Sequence, residues 1–244
     1  HTDIKTGLGG RALDSNFHLA SGVEVRSPGP LPDGTLPDMT LTGTDWNLGT
    51  ATAGGEAGVL TLRTQGNLVL NGSLSDAFVT TTPAYDVNPT VNPFLPDTLR
   101  GGRTWAYNLV AGADVTSADV MATRANGNGG NLTLAAGKLV RTGTGHIRVA
   151  AAGDVTLASN TSAIYTAGRS SAAFEATPET RLENYQDPSF QSRSPSSLLF
   201  PRAYFTQGGG DIQIAAGGNV VGARSTQLYS QWLWRTGRVT DDGA

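Results

Sequence analysis

The side chains in this sequence that could do acid–base or metal chemistry are 20 carboxylates and 3 histidines. Their spacing decides what they can do. Asp154 and Asp211 each follow a glycine, in Gly153-Asp154 and Gly210-Asp211. Aspartate is a common turn former there, because its side chain bonds the backbone two residues on. Cleavage of a polysaccharide needs clustered carboxylates, often with calcium, or a basic residue beside them. No such cluster is spelled. Asp241 and Asp242 belong to a polar tail, and Glu179 and Glu183 flank Arg181 as a loop ion pair. His1 is the first residue, and His18 and His146 have no partner at metal-ligand spacing. The run NGNGGNL from Asn126 lacks the liganding aspartate of calcium-binding glycine repeats. RTGTG from Arg141 lacks the Gly-Lys-Ser/Thr ending of a phosphate loop. There is no cysteine, hence no thiol nucleophile, zinc cluster or disulfide framework. The expectation is a chain with no catalytic, cofactor or metal site, and not an enzyme.

Composition points the same way. The net charge is −3, so no basic excess argues for nucleic acid or anionic lipid. No run approaches the roughly 18 apolar residues of a transmembrane helix. The chain starts at His1 with no charged-then-apolar leader, and reads as a piece of something longer. Glycine supplies 32 of the 244 residues, about twice its usual share, without a collagen period. Such a chain turns often and at defined places.

Those turns fall inside a repeated phrase. GHIRVAAAGDVTLAS (Gly145 to Ser159) returns as GDIQIAAGGNVVGAR (Gly210 to Arg224), about 65 residues later. VLTLRTQGNLVL from Val59 and NLTLAAGKLVRT from Asn131 read as two further copies. Each has a short apolar alternation, a glycine corner, then another alternation. That is the period of a β-strand with turn residues between. Strands this short cannot bury a core alone, but stacked coils pile equivalent side chains into columns. The reading is an all-β, right-handed parallel β-helix over 1–244, a single β-helical segment of a larger protein. Its core is predicted to hold Leu60, Leu62, Leu132, Leu134, Ile147, Val149, Val155, Leu157, Ile212 and Ile214. The steps of 15 residues from Leu132 to Ile147 and 17 from Ile147 to Ile164 read as coil lengths. Gly66-Asn67, Gly153-Asp154 and Gly218-Asn219 are predicted corners, where glycine gives positive φ or close approach. An antiparallel sandwich is the alternative, but Asn-Gly hairpin signals are few.

All 12 prolines fall in three windows, Pro28 to Pro37, Pro83 to Pro96 and Pro178 to Pro201. Proline cannot donate to a sheet ladder. Excursions are therefore expected near 27–38, 77–104 and 170–206, leaving 39–82, 105–169 and 207–236 as scaffold. The third excursion carries aromatics and arginines, including Arg181, Tyr185, Phe190 and Arg193. It reads either as padding on a flank of the helix or as a recognition loop.

Several stretches together resemble the filamentous haemagglutinin-type exoproteins. They are SGVEVRSPG (Ser21 to Gly29), DWNLG (Asp45 to Gly49), GVLTLRTQGNLVLNGSLSDAF (Gly58 to Phe78) and LVAGAD (Leu109 to Asp114). LVRTGTGHIRVAAAGDVTLASNTSAIYTAG (Leu139 to Gly168) and QLYSQWLWRTG (Gln227 to Gly237) extend the likeness over most of the chain outside the proline windows. The resemblance implies a β-helical shaft, secreted through an outer-membrane transporter by the two-partner route and displayed at the bacterial surface. It implies an adhesin, or the stalk of a contact-dependent toxin, that meets a receptor or glycan on a host or neighbouring cell. A carbohydrate-active β-helix enzyme and a self-associating filament or matrix protein are the alternatives.

Replacing 176–199 with a short Gly-Ser linker separates the two readings of the third excursion, since surface insertions cost little closure entropy. A recognition loop predicts a folded protein that no longer adheres to cells. Flank padding predicts a protein that fails to fold. Circular dichroism and a cell-binding assay read the two outcomes.

Overall fold

Alternating apolar residues with glycine or polar breaks every few positions give strands of two to six residues, arranged as successive coils. The computed structural model describes residues 22–48, 57–76, 78–79, 98–99, 103–125, 129–168 and 208–224. The first coil holds β1 (Gly22–Arg26), β2 (Met39–Leu41) and β3 (Trp46–Asn47). The second holds β4 (Val59–Thr64), β5 (Leu68–Leu70) and β6 (Leu74–Ser75). A short pair, β7 (Phe78–Val79) and β8 (Thr98–Leu99), follows. The third coil is β9 (Ala106–Ala111), β10 (Leu132–Leu134) and β11 (Leu139–Thr142). The fourth is β12 (Ile147–Ala151), β13 (Val155–Leu157) and β14 (Ala163–Thr166). β15 (Ile212–Ala216) and β16 (Val220–Gly222) begin a fifth.

Three parallel sheets run along the stack. The first is ordered β1-β4-β9-β12-β15, the second β2-β5-β10-β13-β16 and the third β3-β6-β11-β14. This is a right-handed parallel β-helix. Register is unbroken from coil to coil. In the first sheet Val23, Leu60, Tyr107, Ile147 and Ile212 form one column. In the second, Met39, Leu68, Leu132, Val155 and Val220 form another. Trp46, Leu74, Val140 and Ile164 face inward from the third. The columns meet in one core, where Leu60, Leu62, Leu132, Leu134, Ile147, Val149 and Val155 are buried and Leu157 packs against them half-buried. Tyr107 lies within it. Burial pushes its phenol far above the ordinary value; the Asp76 charge adds to this and Arg141 opposes it.

Two expectations need correction. Ile212 and Ile214 occupy the right columns but are 43% and 37% exposed, because β15 is the edge strand and no described coil lies on it. The phrase from Asn131 is not a first-sheet copy. Leu132 pairs with Leu68 and Val155, so it belongs to the second sheet, not beside Leu60 and Ile147. The third coil's first-sheet strand is AYNLVA at β9, parted from β10 by an insertion over 112–131 that the proline rule could not see. Steps of 15 and 17 residues therefore carry the chain between sheets. A full coil at its shortest takes 23, from Asn131 to Asp154.

The excursions leave the sheets without breaking their register. Residues 27–38 run from β1 to β2 with no strand. β7 and β8 pair antiparallel within 77–104. Phe78 is buried there, edge-on to Tyr165 at 6.1 Å and beneath the Arg141 guanidinium at 4.0 Å. The 112–131 insertion lays Val115 and Met121 against Val110, Ala113 and Ala150 on the outer face of the first sheet. Residues 170–206, with Arg181, Tyr185, Phe190 and Arg193, lie outside the described residues.

Ile147→Asp should cost several kcal/mol, from lost burial and an unpaired charge in mid-stack of the first-sheet column. Ile212→Asp, at the exposed edge of the same column, should cost less than about 1 kcal/mol. Urea unfolding followed by circular dichroism checks the contrast.

Candidate functional site

Asn67, Asp154 and Asn219, predicted at corners, line up with Asp38 and Asn131 on one edge of the helix, between the first and second sheets. Asp38 Oδ1 accepts a hydrogen bond from the Asn67 N–H at 2.6 Å. Asn67 Oδ1 accepts from the Asn131 N–H at 2.9 Å, and Asn131 Oδ1 from the Asp154 N–H at 2.8 Å. Asp154 Oδ1 accepts from the Asn219 N–H at 2.7 Å. Each coil after the first thus donates one corner N–H to the side chain of the coil before it. The ladder runs through all five coils.

The preceding glycines make this possible. A Cβ on Gly66 would strike Asp38 Oδ1, one on Gly153 would strike Asn131 Oδ1, and one on Gly218 would strike Asp154 Oδ1. Close approach, not positive φ, is what the three predicted corners require. Positive φ is found instead at Gly112 and Gly130, where the 112–131 insertion leaves and rejoins the coil. A second, shorter relay joins the second and third sheets. Asp45 Oδ1 accepts the Ser73 N–H at 2.6 Å, and Ser73 Oγ accepts the Leu139 N–H at 3.2 Å. Partial burial raises the Asp45 carboxyl, but the Ser73 N–H and the Lys138 ammonium outweigh it and hold the group below the usual carboxylate range.

These bonds give the corner side chains a structural role. Asp154, weighed above as a catalytic carboxylate, has Oδ1 occupied by the next coil. Asp211 is next to His146, whose Nδ1 accepts the Asp211 N–H at 2.9 Å, and both side chains are exposed. That is one more coil-to-coil bond at the edge between the third and first sheets. Among the described residues no three of His, Asp and Glu are grouped to hold a metal ion. Glu179, Arg181, Glu183, Asp241 and Asp242 lie outside the described residues.

Sequence reasoning passed over two features. Arg63, on the outer face of β4, is buried, donating to Glu24 at 3.1 Å and to the Asp114 carbonyl at 2.8 Å. Arg124 donates to the Gln65 carbonyl at 2.7 Å. Together they fasten the 112–131 insertion to coil two. Asp114 caps its own turn through the Thr116 hydroxyl and N–H, which hold its carboxyl low. Asp119 does the same for the Met121 N–H. The spacings Asp114-x-Thr116 and Ser117-x-Asp119 were the available signal, since Asx and Ser turns mark loops as surely as proline does. The site is therefore a set of surface insertions held by a stiff polar edge. No protein-family model matches the chain, and neither the curated proteins nor the solved structures contain a match.

Asn131→Ala removes the acceptor of the Asp154 N–H and should cost about 1 kcal/mol. Asn131→Asp should cost little near neutral pH, because Asp38 and Asp154 fill equivalent rungs. Gly153→Ala should cost more than Asn131→Ala, since the ladder oxygen must move. The lowered carboxyl of Asp45 contributes stability above the unfolded value of about 3.9, lost as pH falls through the folded one. Asp45→Asn should flatten that acid limb in thermal unfolding followed against pH.

Proposed function

We propose that this chain is a non-catalytic structural and adhesive segment of a large secreted bacterial surface filament, a shaft that presents loops to another cell. The observation that carries the proposal is the use of the corner carboxylates and amides as coil-to-coil acceptors. Side chains spent on holding a repeat together favour a scaffold over a reaction centre. The insertions vary in length from coil to coil while the sheets keep register, which suits display. The likeness of SGVEVRSPG, LVAGAD and IYTAG to haemagglutinin-type exoproteins supports secretion by the two-partner route. A cysteine-free chain suits passage through an oxidising compartment. Coils that bury themselves one on another suit a shaft that folds as it emerges.

The purified chain, displayed on beads, is expected to bind bacterial or epithelial cells saturably and to be displaced by free chain. It is expected to leave uronic-acid and neutral polysaccharides intact, with or without calcium. Turnover abolished by Asp154→Asn or Asp211→Asn would replace this reading with a carbohydrate-active enzyme. Beads that bind no cells would remove the adhesive role and leave the shaft alone.

A further inference from the structure

We infer that the two exposed ends of the described coil stack bind each other between copies of this chain, head to tail. At one end Val23 and Val25 of β1 are 44% and 40% exposed. At the other, Ile212, Ile214 and Val220 are exposed. These are the end positions of the same columns that bury Leu60, Tyr107 and Ile147 in mid-stack. Setting β1 of a second copy on β15 repeats the contact already made four times in the first sheet. Val23 then falls on Ile212 and Val25 on Ile214, while β2 brings Met39 over Val220.

The polar edge agrees in sense as well as in place. At the first coil, the Asp38 N–H donates to no acceptor among the described residues. At the fifth, Asn219 Oδ1 accepts from no described donor, although the Asn219 N–H is used by Asp154. One end offers the donor and the other the acceptor of the same ladder rung. Outward neighbours across the joint are Glu24 with Gln213 and Arg26 with Ala215, so no like charges meet. The 27–38 excursion does not block the first-coil end, for its bonds run to coil two. Ser27 N–H donates to the Arg63 carbonyl, the Gly66 N–H donates to the Pro37 carbonyl, and the Thr64 hydroxyl donates to the same carbonyl. Since the two surfaces differ, the contact is heterologous and propagates into open filaments unless an end is capped. The joint does not depend on any adhesive contact with a cell.

Sedimentation of the full chain tests it. Mass should grow with concentration in the wild-type chain. Ile214→Lys and Val25→Lys, each spoiling one end at an exposed position, should both be monomeric with unchanged circular dichroism. Mixed in equal amounts, they should give a dimer and nothing larger, because one intact end remains on each. Asn219→Ala should weaken wild-type association about tenfold, the loss of one ladder bond, without touching an apolar column. Growth that survives either lysine variant, or a mixture that stays monomeric, overturns the head-to-tail joint. So does a wild-type chain that stays monomeric as concentration rises.

Discussion

Among the described residues no coil strand has a core of its own; those in the middle of the stack are buried by the strands of the coils on either side. Coil-to-coil register is therefore the constraint on which the rest depends. A strand of three residues such as β5 or β10 has one or two inward side chains, and shifting it by a single residue would turn them outward. Leu132 is sealed because Leu68 and Val155 sit directly under and over it. The corner ladder enforces this alignment from the outside. It ties the N–H at the start of each second-sheet strand after the first to the coil before it, so the polar edge and the apolar columns specify the same register.

This division of labour explains where variation is tolerated. Insertions leave at the edges, between β1 and β2, between β9 and β10, and around the β7–β8 pair. The strands on either side remain in place because their partners lie in other coils, not in the loop. The 112–131 insertion shows the limit. It must still return Asn131 to the ladder, and Arg63 and Arg124 pin it against coil two as it does so. A loop on this scaffold is free in length but fixed at its feet.

The fold was legible in the sequence because alternation and glycine corners are local signals, and they recur. The β12–β13 and β15–β16 phrases are near copies, and they pair with each other in register. The third coil was misread because its phrase is split. With β9 hidden behind an insertion, NLTL looked like a first strand when it is a second. Which oxygen meets which N–H could not be read, since an aspartate that caps its own turn and one that reaches the preceding coil are spelled alike. Asp114 does the first and Asp154 the second. Ile212 and Ile214 show a further limit. A column position is visible in sequence, but whether another coil covers it is not.

The unequal coil lengths set an order in which the stack can assemble. Joining Asn131 to Asp154 closes 23 residues, whereas joining Asp154 to Asn219 closes 65. The shorter closure is favoured by about 1 kcal/mol of chain entropy. β10, β11, β13 and β14 form the stretch of lowest closure cost, and their union sets Val155 on Leu132 and Ile164 on Val140. Coils one and two close at nearly the same cost, 29 residues from Asp38 to Asn67. The costly links are those of 64 residues from coil two to coil three and 65 from coil four to coil five, so chain entropy favours two local pairs of coils first and the long links after them.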